Sequence, residues 1–271
     1  MELDIFKVTF LAILQGFTEF LPISSSAHII LPKELLGWPD QGLVFDVAVH
    51  VGSLMAVVSY FRRDISALFV AWIHSCMGKT ESAQAHLAWY LLIATIPAGV
   101  IGFLFASEVE AYSRSMLLIA FTSIFFAILM YFADRYEGAR QPLEKMNLKT
   151  CLIIGFSQVL ALIPGTSRSG ITMTAGLFCG LDRRAAAKFS FLLAIPIIAA
   201  GGLFKGMEML ETGTSTDWAI LFYAIAVSAA VSFVCIHYFL RLIERIGFMP
   251  FIVYRIVMGV ALLGLYYSGV L

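Results

Sequence analysis

Charged side chains are scarce in this chain. Only 13% of its 271 residues are Asp, Glu, Lys or Arg, whereas soluble domains carry about 25%. Hydrophobic residues make up 60% of the chain, and its mean hydropathy is +0.89. Basic and acidic residues balance to a net charge of zero, so the composition offers no basic surface for nucleic acid. We therefore expect a membrane protein with several spans and no nucleic-acid partner.

Paired cysteines and a leader segment are also lacking. The four cysteines stand alone, and none lies in a CxxC pair. We therefore expect neither disulfides nor a cysteine metal site. The N-terminus has no basic stretch followed by a small-residue cleavage site, so no removable signal peptide is expected.

Long apolar stretches are plentiful instead. A helix that crosses a bilayer needs about 20 predominantly apolar residues. Six stretches approach or exceed this length and fall within the usual range for a span. They predict an all-α polytopic membrane protein with six transmembrane helices. These stretches cover residues 44–61, 87–106, 116–133, 186–206, 218–240 and 250–269.

Two further apolar segments, residues 5–36 and 150–181, are each broken in the middle by proline and a cluster of small polar residues. Each half has about 14 residues, too few to cross a hydrocarbon core of about 30 Å. One interpretation is a single span followed by a surface loop. We favour two re-entrant broken helical hairpins, because broken backbone at membrane depth is tolerated where it lines a cavity or is buried in protein.

Basic residues favour one side of this layout. If the stretches after residues 61, 133, 181 and 240 face the cytoplasm, that side holds 12 Lys and Arg residues and the other side holds 4. Positive charge marks cytoplasmic loops, so the count predicts that both termini face outside. The alternation works only if neither broken segment crosses the bilayer.

One arginine lies inside a predicted span. Arg255 is only about five residues, or roughly 7.5 Å, from the cytoplasmic end of the last span. A long side chain can cover that distance by snorkelling to the interface. We therefore expect Tyr254 and Arg255 to matter for packing at the cytoplasmic end of the span more than for chemistry.

The two broken segments indicate an internal repeat. Laying Pro22 on Pro164 aligns EFLPISSSAH with ALIPGTSRSG, and three spans follow each broken segment. Three crossings invert the second unit relative to the first. We thus predict one integral membrane domain over the whole chain, with repeat one at 1–135, a cytoplasmic linker at 134–149 and repeat two at 148–271. The polar tips of the hairpins are expected to meet near the membrane midplane, as in transporters with inverted repeats.

The first tip begins with an amide and an acid. Gln15 and Glu19 are four residues apart, so on a helix they share a face. Their side-chain oxygens suit a hard divalent cation such as Mg²⁺ or Ca²⁺, especially one that phosphates already hold. We therefore predict Gln15 and Glu19 as the metal ligands.

Hydroxyls and an imidazole follow in the same tip. Ser24, Ser25 and Ser26 can bind phosphate, supply a nucleophile or cap the second half-helix. A serine is a weak nucleophile until a base takes its proton. Glu19 and His28 are the nearby candidates for that base.

The second tip, PGTSRSG at residues 164–170, predicts a phosphate site. Arg168 stays charged inside the membrane, at a cost of about 2.5–3.5 kcal/mol on insertion scales. It could pair with an acid, but a guanidinium also binds phosphate oxygens in pairs. A helix over 167–181 would add its N-terminus, which favours anions. The neighbours expected to bind phosphate with it are Gly165, Thr166, Ser167 and Ser169.

Together the two tips resemble the bacterial undecaprenyl-diphosphate phosphatase family, also called the bacitracin-resistance family. QGFTEFLPISSSAH matches the family pattern (E/Q)xxxE followed by PxSSxxH, and ALIPGTSRSG matches PGxSRSG. The resemblance continues in FDVAVHVGS at 45–53 and PFIVYR at 250–255. It implies cation-dependent hydrolysis of undecaprenyl diphosphate to undecaprenyl phosphate and inorganic phosphate. That reaction recycles the lipid carrier for cell-wall synthesis and confers bacitracin resistance.

The resemblance also implies residue roles and a location. The family's acid, second serine and histidine of the first motif, and the arginine of the second, are tied to activity. These positions are held here by Glu19, Ser25, His28 and Arg168. Gln15 replaces a second acid, and His50 stands where we expect glutamine in relatives. The implied location is the bacterial inner membrane, with a site that opens towards the periplasmic face.

Several alternatives stay open at this point. Either Ser25 attacks phosphorus, or Glu19 or His28 activates water and Ser25 only binds phosphate. An inverted repeat also suits a transporter or flippase of a polyprenyl phosphate lipid, although a carrier needs no acid, base and nucleophile. The expected partners are the polyprenyl diphosphate lipid and the bilayer, and a homodimer is compatible with the sequence.

Overall fold

The computed structural model describes residues 4–79, 82–112, 115–136, 138, 140–212 and 217–269, and α-helices dominate these ranges. In chain order the helices are α1 (Ile5–Thr18), α2 (Ser25–Leu36), α3 (Gly42–Tyr60), α4 (Arg62–Cys76), α5 (Ala83–Leu104), α6 (Ala106–Tyr112), α7 (Met116–Arg135), α8 (Leu148–Val159), α9 (Arg168–Phe178), α10 (Arg183–Thr212), α11 (Trp218–Ile246) and α12 (Met249–Tyr267).

Six helices, α3, α5, α7, α10, α11 and α12, are long and apolar enough to cross a membrane. They confirm the prediction of an all-α polytopic membrane protein with six transmembrane helices. Two of these helices continue six residues past their predicted ends: α10 reaches Thr212 instead of residue 206, and α11 reaches Ile246 instead of residue 240. Arg241 and Arg245 lie on the extension of α11. Charge lowers hydropathy there, while the helical hydrogen bonds continue.

The helix α4 lies in a stretch that the sequence assigned to a cytoplasmic loop. It follows α3 after a single residue, Phe61, and Leu68 is its buried residue. Several of its other apolar side chains, among them Phe69 and Val70, are exposed on the protein surface. The charged residues in the first turn of α4 lower the local hydropathy, so hydropathy does not predict a span there.

Each broken segment consists of two short helices. The first break separates α1, of 14 residues, from α2, of 12, and the second separates α8, of 12, from α9, of 11. The longest of these rises about 21 Å, less than the hydrocarbon thickness of about 30 Å. These lengths are those that the predicted re-entrant hairpins require, and their path relative to a bilayer stays a prediction.

Two serines with unusual backbone geometry end the breaks. Ser24 has a φ of 71° and Ser167 a φ of 70°, and no other non-glycine residue in the described part of the chain has a positive φ. Such a conformation costs on the order of 1–3 kcal/mol. Each serine stands directly before a helix, α2 or α9. An alignment of Ser24 with Ser167 is shifted by one residue from the alignment of Pro22 with Pro164. The reason is that Ser24 follows Pro22 by two residues, whereas Ser167 follows Pro164 by three.

Each broken segment packs against a long helix from the other half of the chain. The helix α1 packs on α11, and α8 packs on α5. The contacts are close: a Cβ at Gly16 would lie 2.7 Å from the carbonyl oxygen of Ser228, and one at Gly155 would lie 2.8 Å from Cα of Ala94. Small residues allow such close approach between membrane helices. This reciprocal packing is what an inverted repeat would produce, and the repeat itself stays a prediction.

Arg255 joins the two breaks at the centre of the molecule. Its side chain is fully buried. One terminal nitrogen donates to the carbonyl oxygens of Gly165 and Thr166, both at 2.9 Å, and the other reaches the carbonyl oxygen of Pro22 at 3.5 Å. The snorkelling prediction is therefore wrong. Carbonyls in broken backbone have no helical partner, and a guanidinium offers several donors in a fixed fork.

Two hydroxyls add to this connection. Ser169 donates from Oγ to the carbonyl oxygen of Leu21 in the first break, at 2.9 Å. Thr122 on α7 donates to the carbonyl oxygen of Pro164 at 2.6 Å. A Cβ at Gly165 would collide with the Thr122 hydroxyl, and its φ of 83° favours glycine. Close packing and backbone conformation therefore both require glycine at position 165.

An Arg255→Lys variant should unfold at a lower temperature than the wild type. A lysine ammonium lacks the fork that reaches both breaks, so buried carbonyls lose partners at a cost of about 1–3 kcal/mol each. Thermal unfolding of the purified protein in detergent measures the effect. Arg245→Lys, at an exposed position on α11, is the matched control. Equal melting temperatures for the two variants would show that the fork is dispensable.

Candidate active site

The polar cluster lies where the two breaks meet. Glu19 is the C-cap of α1, Ser25 is the first residue of α2, and Arg168 is the first residue of α9. Ser25 and Arg168 thus hold equivalent positions, each directly after a serine with positive φ. The same local geometry directs a hydroxyl from one half and a guanidinium from the other towards one carboxylate.

Glu19 is the centre of this cluster. Its carboxylate is only 8% exposed, and Oε1 accepts a hydrogen bond from a terminal nitrogen of Arg168 at 3.0 Å. Oε2 accepts from the Ser25 hydroxyl at 2.7 Å and from the Gln15 amide at 3.0 Å. Both oxygens therefore have partners, and the acid and the arginine neutralise each other. That pairing reduces the cost of placing two charges in an apolar environment.

Arg168 is held at its other end as well. Its second terminal nitrogen donates to the backbone carbonyl of Ser190 on α10 at 3.0 Å. The side chain remains 14% exposed. A fork that is fixed at one nitrogen and paired with a carboxylate at the other can exchange the carboxylate for another anion without losing its orientation.

His28 lies in the same tip but faces away from this cluster. Its Nδ1 is 2.7 Å from the carbonyl oxygen of Ser24, and its Nε2 is 2.6 Å from the hydroxyl of Tyr254. The two rings stack at 5.6 Å. A carbonyl can only accept, so Nδ1 carries the proton. Among the hydrogen bonds of the described residues none joins His28 to Glu19 or Ser25, so the structure brings only Glu19 within reach of Ser25 as a base.

The other predicted phosphate-binding serines form two matched pairs. The hydroxyls of Ser24 and Ser26 are 3.1 Å apart, and those of Ser167 and Ser169 are 3.2 Å apart. Ser167 also caps α9 by accepting from the N–H of Gly170 at 3.1 Å. Ser24, Ser167 and Ser169 are buried, whereas Ser26 is exposed. Of these four hydroxyls, that of Ser26 is the most accessible to a ligand.

Gly165 and Thr166 are buried beneath the tip. Their carbonyl oxygens accept hydrogen bonds from Arg255. The Thr166 hydroxyl is buried and has no hydrogen-bond partner. Both residues thus support the second break, and their predicted contact with phosphate stays a prediction.

The oxygen ligands predicted for a cation lie together. Gln15 is fully buried, and its Oε1 has no hydrogen-bond partner. Such an orphaned carbonyl oxygen beside a carboxylate fits a hard divalent cation. No cluster of three His, Cys, Asp or Glu residues suited to a metal occurs in the part of the chain that the structure describes. With Arg168 already balancing Glu19, a cation here needs further negative charge from a ligand.

Three residues without a predicted role in the chemistry also contribute to the site. Ser190 contributes only a backbone carbonyl, which no sequence pattern reveals. Tyr254, predicted to matter for packing, contacts Nε2 of His28 through its hydroxyl. His50 on α3 brings Nε2 to 3.7 Å from Oε2 of Glu19. The signal for His50 was available, since an ionisable residue inside a span is by default a candidate for function.

Comparison with known proteins agrees with this architecture. Residues 8–261 match the family model described as Bacitracin resistance protein BacA. A protein of Hahella chejuensis named Undecaprenyl-diphosphatase is 56% identical over 257 residues, covering 95% of this chain and 96% of the relative. Proteins of the same name from Teredinibacter turnerae and Chromohalobacter salexigens are 51% and 50% identical, each over 96% of this chain and 98% of the relative.

Glu19 and Arg168 should show strong coupling in a double-mutant cycle. Removing either partner leaves a largely buried charge unpaired at about 3–5 kcal/mol, whereas Glu19→Gln combined with Arg168→Gln removes both charges. We expect a coupling energy of roughly 1–3 kcal/mol from unfolding in detergent.

The pair Arg184 and Glu244, also 3.0 Å apart but 69% and 44% exposed, provides the control cycle. Its coupling should stay below about 1 kcal/mol because solvent screens exposed pairs. Equal coupling in the two cycles would contradict a buried, structurally important pair at the site.

Proposed function

This chain belongs to the bacitracin resistance protein BacA family, and we propose on that premise that it hydrolyses undecaprenyl diphosphate to undecaprenyl phosphate and inorganic phosphate at the site of Glu19, Ser25 and Arg168. The observation that carries the proposal is the Ser25 hydroxyl, 2.7 Å from the carboxylate that Arg168 also holds. Phosphoryl transfer to a hydroxyl needs a nucleophile, a proton acceptor and a cationic group for the phosphate. The cluster contains all three.

Substrate binding would rearrange the charges of the site. A diphosphate competes with Glu19 for the nitrogen of Arg168 that now bonds Oε1, while the other nitrogen stays on the Ser190 carbonyl. Glu19 then loses its bond to Arg168 but keeps its contact with Ser25. A carboxylate released from a guanidinium accepts a proton more readily than one that is paired with it. The same event thus binds the phosphate and prepares the base.

The proposed first step forms a phosphoserine. Oγ of Ser25 attacks the terminal phosphorus, and its proton passes to Oε2 of Glu19. The bond between that phosphorus and the bridging oxygen breaks, and undecaprenyl phosphate leaves with the bridging oxygen. Water then attacks the phosphoserine, the serine oxygen recovers the proton from Glu19, and inorganic phosphate departs with the atoms of the water. Arg168 neutralises charge on the transferred group throughout.

We propose Gln15 and Glu19 as the residues that hold a divalent cation, Mg²⁺ or Ca²⁺, together with oxygens of the substrate. When bound, such a cation neutralises phosphate charge and acts as a Lewis acid on the phosphoryl group. The orphaned Oε1 of Gln15 supports this assignment. Because Glu19 is the single acid in the cluster, the substrate supplies most of the negative charge that the cation needs.

The proposed location is the bacterial inner membrane, with the site open to the periplasmic face. The count of 12 basic residues on one side against 4 on the other supports this orientation. Six helices are long and apolar enough to cross a membrane, so the polyprenyl tail can stay in the bilayer while the diphosphate enters the cluster. A lipid carrier would need neither the serine nor its base, which distinguishes the enzyme from a flippase.

Ser25→Ala should abolish phosphate release from undecaprenyl diphosphate in detergent, where no transport can occur. Ser268→Ala is the control, because Ser268 is exposed at the end of α12 and its hydroxyl donates to the carbonyl oxygen of Leu265. Wild-type protein should release phosphate and lose that activity when a chelator is added. No release from the wild type would refute the proposed hydrolysis.

Trapping distinguishes the two chemical routes. Wild-type protein quenched during turnover should carry phosphate on Ser25, and Glu19→Gln should slow its formation. If water attacks directly, no phosphoserine forms, and Ser25→Ala costs only the roughly 10²–10³-fold expected for one lost transition-state hydrogen bond.

Labelling in intact cells tests the orientation. In a Cys76→Ser background, which removes an exposed thiol, Lys79→Cys should be protected from an impermeant thiol reagent. Ser107→Cys, at an exposed position on α6, should react with it. Labelling of position 79 from outside would reverse the proposed orientation.

A further inference from the structure

We propose that His50 is a nitrogen ligand of the divalent cation and completes a set with Gln15 and Glu19. The inference rests on the proposed function, because it adds a residue to the cation site assigned there. His50 lies on α3, a helix that contributes no other side chain to the cluster around Glu19.

The spacing of the two side chains carries the first part of the argument. Nε2 of His50 is 3.7 Å from Oε2 of Glu19. A charged hydrogen bond between them would bring the atoms to about 2.7–2.9 Å. Two neighbouring ligand atoms of a six-coordinate Mg²⁺ or Ca²⁺ ion, with ligand distances of about 2.0–2.6 Å, lie roughly 2.8–3.7 Å apart. The gap is thus too long for a direct bond and close to the spacing of two groups that share a cation.

The hydrogen bond on the other ring nitrogen carries the second part. Nδ1 of His50 is 2.7 Å from the carbonyl oxygen of Asp46. A carbonyl only accepts, so Nδ1 bears the proton and the lone pair of Nε2 faces Glu19. Histidines that bind metals almost always donate their other N–H to a carbonyl or carboxylate. His50 therefore already has the tautomer that a ligand requires.

The remaining donors fit the same centre. The orphaned Oε1 belongs to Gln15, whose Nε2 bonds Oε2 of Glu19, and a half-turn of that amide exchanges its oxygen and nitrogen. The His50 side chain is 38% exposed, so the protein does not enclose the ring. A nitrogen ligand makes the site bind Mn²⁺ or Zn²⁺ more favourably relative to Ca²⁺, because Ca²⁺ prefers oxygen ligands.

Electron spin-echo spectroscopy of bound Mn²⁺ tests the assignment without measuring activity. Full-length protein in detergent would be loaded with Mn²⁺ and methylenediphosphonate, a diphosphate that cannot be hydrolysed. The wild type should show coupling to one imidazole nitrogen, and labelling with ¹⁵N-histidine should move that signal to the ¹⁵N frequency. This labelling requires no variant, so the result does not depend on how a mutant folds.

His50→Gln should abolish the nitrogen coupling and weaken Mn²⁺ binding by about 10-fold or more, while Ca²⁺ binding is retained because glutamine offers an oxygen. His86→Gln, at an exposed position on α5, should leave the coupling and the phosphate release unchanged. Mn²⁺ binding that depends on Glu19 but shows no histidine nitrogen would overturn the role of His50 and leave the cation site intact. Binding that is indifferent to Glu19→Gln, together with phosphate release that resists a chelator, would instead overturn the cation in the proposed function.

Discussion

The carbonyl groups of two broken helices, buried between long apolar helices, impose the constraint on which the rest of this structure depends. Unpaired backbone groups cost several kcal/mol each in hydrocarbon, so breaks of this kind need donors from elsewhere. Arg255 supplies them to both breaks at once through Gly165, Thr166 and Pro22. The two tips therefore hold their positions as a connected pair, and α12, which contributes none of the side chains that bond Glu19, determines where they lie.

The breaks in turn create the chemistry. One helix ends at Glu19 and the next begins at Ser25, so the carboxylate and the hydroxyl come into contact although they are six residues apart. Two side chains six residues apart on one continuous helix would not meet. The matching break delivers Arg168 from 149 residues away. Positive φ at Ser24 and Ser167 stores strain directly beside the two reactive side chains, where such strain commonly accompanies function. The site thus forms only when both halves of the chain have packed together.

The sequence predicted the parts of this site that local chemistry determines. Hydropathy gave the six spans, and residue type marked Gln15, Glu19, Ser25 and Arg168 as a group. The sequence could not predict the partners of Arg255, because the last span and the two distant breaks meet only in the folded molecule. The snorkelling prediction used only the distance of Arg255 from the end of its own helix. The sequence could not predict the contacts of His28 for the same reason, because Tyr254, which bonds its ring, lies far along the chain. The role of His28 as a base stays a prediction.

Charge balance explains why such a site can exist inside a membrane protein. The charges of Glu19 and Arg168 cancel each other, which avoids an unpaired charge among apolar helices. A diphosphate alone would add uncompensated negative charge, and a divalent cation alone would add positive charge beside a neutral pair. On the proposed function each would therefore favour binding of the other, and the coupling would be reciprocal. The neutral pair would then make the site selective for cation and diphosphate together, because only the combination would keep the buried cluster close to electrical balance.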